Sequence, residues 1–129
     1  MKKVNKKPKA IIYCRVANKN QISDTSSLEE QRNKCKDELG KGGYELLEVV
    51  SDNGCSANDM KRAGLCRLKD LVSRKDVSAI YISDYARLSR QPKHLLEILT
   101  YFEEEHSVNV VSIANPEDEH SSCYMLWAV

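Results

Sequence analysis

Three arginines, Arg15, Arg87 and Arg90, are the residues of this 129-residue chain best suited to chemistry on an anion. A guanidinium stays charged at any physiological pH, and its planar fork grips two oxygens at once, so an arginine cluster among scattered acids suits a phosphate. The plainer alternative is ion pairing with Asp52, Asp59 or Asp84. Arg87 and Arg90 stand three residues apart and share one side if that stretch is helical. Other phosphate chemistries lack their signatures: there is no GxxxxGK(S/T) loop, and no GxGxxG follows the first strand. His94, His106 and His120 have no nucleophile beside them, and His94 reads as a solvated or packed helix residue. The five cysteines (Cys14, Cys35, Cys55, Cys66, Cys123) are odd in number. They include no CxxC pair and no His at ligand spacing, which speaks against a disulfide framework or a zinc site. No metal and no cofactor is expected.

Whether those arginines meet depends on the elements that carry them. Residues 10–16 form a short apolar run with β-branched and aromatic members, read as a buried strand. Ser27 and Glu30 fit a capping box. The helix they start carries Leu28, Cys35 and Leu39 on one face and stops near Gly40. Residues 44–50 make a second strand, and 52–59 read as loop throughout. A second helix spans about 63–74, with Leu65, Leu68, Leu71 and Val72 inward. Residues 77–82 are a third strand. Pro92 suits the first turn of a third helix, with apolar face Leu95, Leu96, Ile98, Leu99 and Phe102. Residues 107–114 are a fourth strand. The alternation predicts an α/β domain, a mainly parallel sheet of four or more strands with helices on both faces. In such a sheet ligands collect beyond the carboxyl ends of the strands. There the exits of strands one to three bring Arg15 with residues 17–21, then 52–62, then 84–90.

Composition is that of a soluble globular domain, 41% apolar and 30% charged, long enough for one core. No apolar run reaches the roughly 20 residues that cross a bilayer, and residues 1–8 form a basic tail without a signal peptide's apolar stretch. A cytoplasmic protein without membrane contact is expected. Net charge is only +1, yet residues 1–20 hold seven basic groups and no acid, and 97–120 hold seven acids and no Lys or Arg. A polyanion would be drawn to one side of such a molecule. On charge alone the plainer reading wins, a solvated lysine tail and a solvated acidic helix end.

Five motifs in order resemble the resolvase/invertase family of serine recombinases over about residues 9–129. Tyr13-Cys14-Arg15-Val16-Ala17 is similar to Y-x-R-V-S, and Ser27-Leu28-Glu29-Glu30-Gln31 to S-L-x-x-Q. Asp52-Asn53-Gly54-Cys55-Ser56 is similar to D-x-G-x-S, and Arg62-Ala63-Gly64-Leu65 to R-x-G-L. Arg87-Leu88-Ser89-Arg90 is similar to R-L-S/G-R. The resemblance implies a resolvase-like catalytic domain that cleaves and exchanges DNA strands through a 5′-phosphoserine. It implies a grip on the scissile phosphate by Arg15, Arg87 and Arg90, with Gln31, Asp52 and Arg62 in support. Arg62 counts with those three as a DNA-binding residue. The implied partners are double-stranded DNA at recombination sites and, in full-length protein, further copies forming dimers and tetramers.

Two positions depart from the family pattern. Ala17 occupies the nucleophile position, and a methyl group cannot attack phosphorus, so the chain as written is expected to be inactive. Three explanations stand open: an engineered replacement of serine, a natural loss, or a nucleophile relocated to one of the nearby hydroxyls Ser23, Thr25, Ser26 or Ser27. Ala86 stands where many relatives carry aspartate, with Asp84 two residues earlier. The runner-up function is therefore a catalytically inactive DNA-binding and oligomerisation module. A nucleotide-binding flavodoxin-like domain is the third reading, and it lacks a glycine-rich turn or acidic pocket. The apolar end at 121–129 reads as the beginning of a long oligomerisation helix, with a separate DNA-binding domain beyond. The D-x-G-x-S spacing leans toward the large integrases and transposases.

Overall fold

A computed structural model describes residues 7–17, 27–56, 59–74 and 76–114. Strand β1 (Lys9–Val16) leads to helix α1 (Leu28–Lys41), strand β2 (Glu45–Asn53), helix α2 (Ala63–Arg74) and strand β3 (Ala79–Ile82). A 3-10 turn (Tyr85–Arg87) then precedes helix α3 (Pro92–Leu99), which runs on as a π-helical stretch (Thr100–Glu105) into strand β4 (Asn109–Ser112). The four strands form one parallel sheet in the order β2-β1-β3-β4.

Burial explains why β1 is central. Its residues from Ala10 to Cys14 are all fully buried, as a strand covered on both faces requires. Ile11 and Tyr13 point to one face, where they join Leu65, Leu68 and Leu71 of α2 and Leu95, Ile98 and Leu99 of α3. Ala10, Ile12 and Cys14 point to the other, against Cys35 and Leu39 of α1. Right-handed crossovers account for this division. The chain steps from β1 to β2 in one direction and from β2 past β1 to β3 in the other, so α1 and α2 must fall on opposite faces. The two directions part between β1 and β3, and that switch point is where a crevice opens beyond the strand ends.

The helix ends follow their local signals. Ser27 Oγ accepts from Glu30 N at 3.1 Å while Glu30 Oε1 accepts from Ser27 N at 3.0 Å, a complete capping box. Helix α1 runs one residue past Gly40 and is capped by Gly42. Three expectations need correction. Strand β2 continues through Asn53, so Asp52 belongs to the strand and not to the loop, because Arg15 and Asp52 are register partners and Asp52 turns into the protein. Strand β3 starts two residues later than its apolar run suggested, and β4 is shorter than its run at both ends. Leu96 lies at the border of the α3 face and is 36% exposed, since five apolar positions subtend a wider arc than one sheet contact covers. Residues 1–6, Ser23, Thr25, Ser26, His120, Cys123 and the segment 121–129 lie outside the described residues.

Candidate active site

Site geometry begins with the alternation of β1, which sends Tyr13 and Arg15 to the α2 side. Tyr13 Oη donates to Asp52 Oδ2 at 2.6 Å, and Arg62 Nε donates to Tyr13 Oη at 2.7 Å. Arg62 Nε also lies 3.5 Å from Asp52 Oδ2, and Gly64 N donates to Asp52 Oδ1 at 2.8 Å. Asp52 is 3% exposed and Arg62 2%, so the ion pair is buried with its remaining polar atoms satisfied, the condition for tolerating such a pair. Burial is the largest influence on Tyr13 and pushes its phenol far up, which keeps it a proton donor toward Asp52.

Arg15, 2% exposed, spends its side chain on main-chain oxygens. Its Nε donates to Arg87 O at 2.9 Å, Nη1 to Cys55 O at 2.7 Å and Nη2 to Ala86 O at 3.0 Å. Arg62 adds to the same turn, with Nη2 on Arg87 O at 3.2 Å and Leu88 O at 2.7 Å, and reaches Asp59 O through Nη1 at 2.9 Å. The Arg15 peptide is held as well. Its N–H donates to Gln31 Oε1 at 3.0 Å, and its carbonyl accepts from Gln31 Nε2 at 3.1 Å and Arg87 Nη1 at 3.0 Å. Arg87 Nε donates to Ser83 Oγ at 3.3 Å and lies 3.5 Å from Asp84 Oδ2. Asp84 Oδ1 is buried without a hydrogen-bond partner. Burial, and then the like charges of Arg62, Arg87 and Arg90, hold the Arg15 guanidinium below its ordinary value. The site therefore carries a concentrated positive charge that a bound anion would relieve.

Ala17 directly follows β1 and is exposed. The preceding carbonyl, Val16 O, accepts from Gly54 N at 2.8 Å and Cys55 N at 3.2 Å, so the exit of β2 closes over the exit of β1. Gly54 makes that return with φ of 84°, a left-handed conformation that favours glycine. The fold thus gathers Arg15, Gln31, Asp52, Arg62 and Arg87 into one hydrogen-bonded network, with position 17 at its edge. Arg90 stands apart. The helical turn stops at Arg87, so the three-residue spacing does not align the two side chains: Arg87 is 6% exposed and Arg90 is exposed. Ion pairing accounts for part of the arginine chemistry, since Arg87 pairs with Asp84, as Arg62 does with Asp52. Sequence reasoning gave no role to Tyr13, Gly64 or Ser83. A hydroxyl inside an otherwise apolar strand was the available signal for Tyr13. The carbonyls of Cys55, Ala86, Arg87 and Leu88 had none. Among the described residues there is no cluster of metal-ligating side chains, and no helix is long and apolar enough to cross a membrane.

A family model described as the resolvase N-terminal domain matches residues 10–126. The chain belongs to that family. This resolvase domain is 33% identical over 99 residues to a protein of Acanthamoeba polyphaga mimivirus named "Putative resolvase L103". The match takes in 75% of the chain but 47% of that relative, so the chain spans about half its length. Among solved structures, the N-terminal catalytic domain of TP901-1 integrase superposes with a TM-score of 0.78 at 22% identity, over 84% of this chain and 79% of that one. The C-terminal catalytic domain of ISC1926 TnpA, an IS607-like serine recombinase, gives 0.67 at 28% identity, over 81% and 70%. A resolvase family site-specific recombinase from Streptococcus pneumoniae gives 0.70 at 22%, over 85% and 74%. The resolvase motifs at 13–17, 27–31, 52–56, 62–65 and 87–90 meet at the carboxyl end of the sheet through the hydrogen bonds described above.

Proposed function

We propose that this resolvase domain engages a DNA phosphodiester at the β1–β3 switch point, and that its serine-bearing form cleaves and exchanges DNA strands there. The observation that carries this reading is the buried arginine network beside exposed position 17. In the reaction, a serine hydroxyl at 17 attacks phosphorus while the bond from phosphorus to the 3′ oxygen breaks. The hydroxyl loses its proton, the departing 3′ oxygen gains one, and the 5′ phosphate stays on the serine. Negative charge grows on the non-bridging oxygens, where preorganised cations act most strongly. Arg15, Arg87 and Arg90 supply that charge. Gln31, Asp52 and Arg62 hold the strand ends that carry it. Bond energy is conserved in the phosphoserine, so resealing by the 3′ hydroxyl needs no nucleotide. Strand exchange requires further copies of the full-length protein, as a dimer pairing into a tetramer on double-stranded recombination sites.

With Ala17 the chain forms no phosphoserine, and that residue favours a second reading, a module that occupies DNA or joins an assembly without cutting. Restoring Ala17→Ser in the full-length protein and incubating it with the ends of its mobile element separates the two. A protein–DNA adduct that survives denaturing electrophoresis supports the recombinase reading. Retained DNA binding without an adduct sinks it and leaves the binding module. In the adduct-forming protein, Arg87→Ala is expected to slow cleavage by about 10²–10³, the usual loss when one preorganised donor is removed.

A further inference from the structure

We infer that Asp84 is a positioning residue for this reaction: with Ser83 it aims Arg87 from the Nε side and leaves the Nη edge of that guanidinium to the phosphate. The inference rests on the phosphodiester reading of this site and adds a residue to it. Arg87 Nε, Ser83 Oγ and Asp84 Oδ2 stand at the corners of a triangle. Arg87 Nε donates to Ser83 Oγ at 3.3 Å, Ser83 Oγ donates to Asp84 Oδ2 at 3.4 Å, and that oxygen lies 3.5 Å from Arg87 Nε. The main chain ties the same residues, since Arg87 N donates to Asp84 O at 3.1 Å. On the far side Arg87 Nη1 donates to Arg15 O at 3.0 Å. The guanidinium is thus fixed in direction from Nε and Nη1, while Nη2 makes no hydrogen bond among the described residues. Nη2 and the second hydrogen of Nη1 form the edge that grips two phosphate oxygens side by side.

Asp84 also departs from what its place in the chain favours. It occupies the N-cap of the turn Tyr85–Arg87, where an aspartate ordinarily turns its carboxylate to the free amides of the turn. Here the carboxylate makes no cap bond, and Oδ1 is buried without a hydrogen-bond partner. Leaving a buried acceptor bare costs stability. What the arrangement secures is the approach to Arg87, the ion pair that Asp84 makes among the described residues. A carboxylate beside a phosphate site opposes the incoming anion, so its charge is unfavourable to binding. It serves the reaction only through the direction it gives Arg87, and that separates affinity from rate.

Adduct formation by the full-length Ala17→Ser protein on duplex ends of its element, with duplex affinity measured alongside, tests the assignment. Asp84→Asn keeps the shape and an acceptor oxygen and removes the charge. It should slow the adduct by about tenfold or more, the scale of a misplaced reacting group, while affinity stays equal or rises. An unchanged rate, or an affinity that falls in step with the rate, overturns the inference. In the Arg87→Ala background the same substitution should alter the rate by less than about twofold, because nothing is left to aim. A second full loss there would make Asp84 an independent participant and reject the positioning role. Should Asp84→Asn fail to fold, Ser83→Ala removes one corner of the triangle and should again slow the adduct without weakening binding; an unchanged rate there rejects the device. Nitrogen-15 NMR of the unmodified chain judges the contact without cleavage. The Arg87 Nε–H should exchange several-fold faster after Asp84→Asn while the Arg15 Nε–H stays as it was, and equal Arg87 exchange in the two chains overturns the inference. If the Ala17→Ser protein forms no adduct, the phosphodiester reading fails, and the aiming of Arg87 is then judged by this exchange rate.

Discussion

Beyond Val16 the chain leaves the sheet, and at the residue just before it the peptide of Arg15 is gripped on both sides by the Gln31 amide, which donates and accepts as a neighbouring strand would. This residue-scale contact sets the direction in which position 17 departs. Replacing Gln31 by Leu keeps the volume and removes both bonds. Arg15 O retains Arg87 as donor, but Arg15 N is left buried without a partner. The expected loss is about 1–3 kcal/mol, the cost of stranding one buried donor, measured as the change in urea unfolding free energy. A change below about 0.5 kcal/mol would mean that water replaces the amide and that the clamp contributes no stability.

At the scale of elements, α2 begins without an acidic residue of its own in the first turn, and the charge that complements its N-terminus comes from β2. Asp52 Oδ1 accepts from Gly64 N, the second residue of the helix, so the strand carboxylate caps the helix across the chain. Gly64 is required by the closeness of that approach, since a Cβ there would collide with the Asp52 carboxylate. Helix propensity alone favours Gly64→Ala by up to about 1 kcal/mol. Overpacking and the displaced hydrogen bond oppose it with about 1–3 kcal/mol each, so the substitution is expected to destabilise. Thermal unfolding checks the sign: a raised midpoint would show that the carboxylate yields freely.

For the whole molecule, one sheet covered on both faces leaves several ionisable groups deep between layers. Burial pushes the Cys14 thiol up to about 11 and the Cys35 thiol up to about 12, and it raises the Tyr13 phenol as well. Each group binds its proton more tightly folded than unfolded. The stability they contribute is complete below the ordinary thiol value of 9.0 and is lost as pH climbs toward 11 and 12. Stability should fall by on the order of a few kcal/mol between pH 9 and 11. The Cys35→Ala variant should flatten that slope in urea titrations, and an unchanged slope would place the loss elsewhere. Cys66, exposed on α2, should react with thiol reagents at neutral pH while Cys14 and Cys35 react only on unfolding.

Much of this architecture was legible in the order of residues. Apolar runs of strand length alternating with helical faces determined a parallel α/β sheet, because burial imposes a period of two or 3.6 on any chain that must cover a sheet. The capping box at Ser27 and the leucines of α2 are local signals, and they specify local structure. The chemical character of the site was equally readable, because guanidiniums, a missing hydroxyl at Ala17 and the spacing of five short motifs are properties of side chains. Tertiary structure alone decided the rest. The strand order β2-β1-β3-β4 and the extension of β2 to Asn53 depend on which neighbours bury a residue, and no window of sequence contains those neighbours. That Arg15 and Arg62 bind the carbonyls of residues 86–88 was equally invisible. Every residue type carries the same carbonyl, and only the folded path of the chain determines which of them turn toward a buried charge.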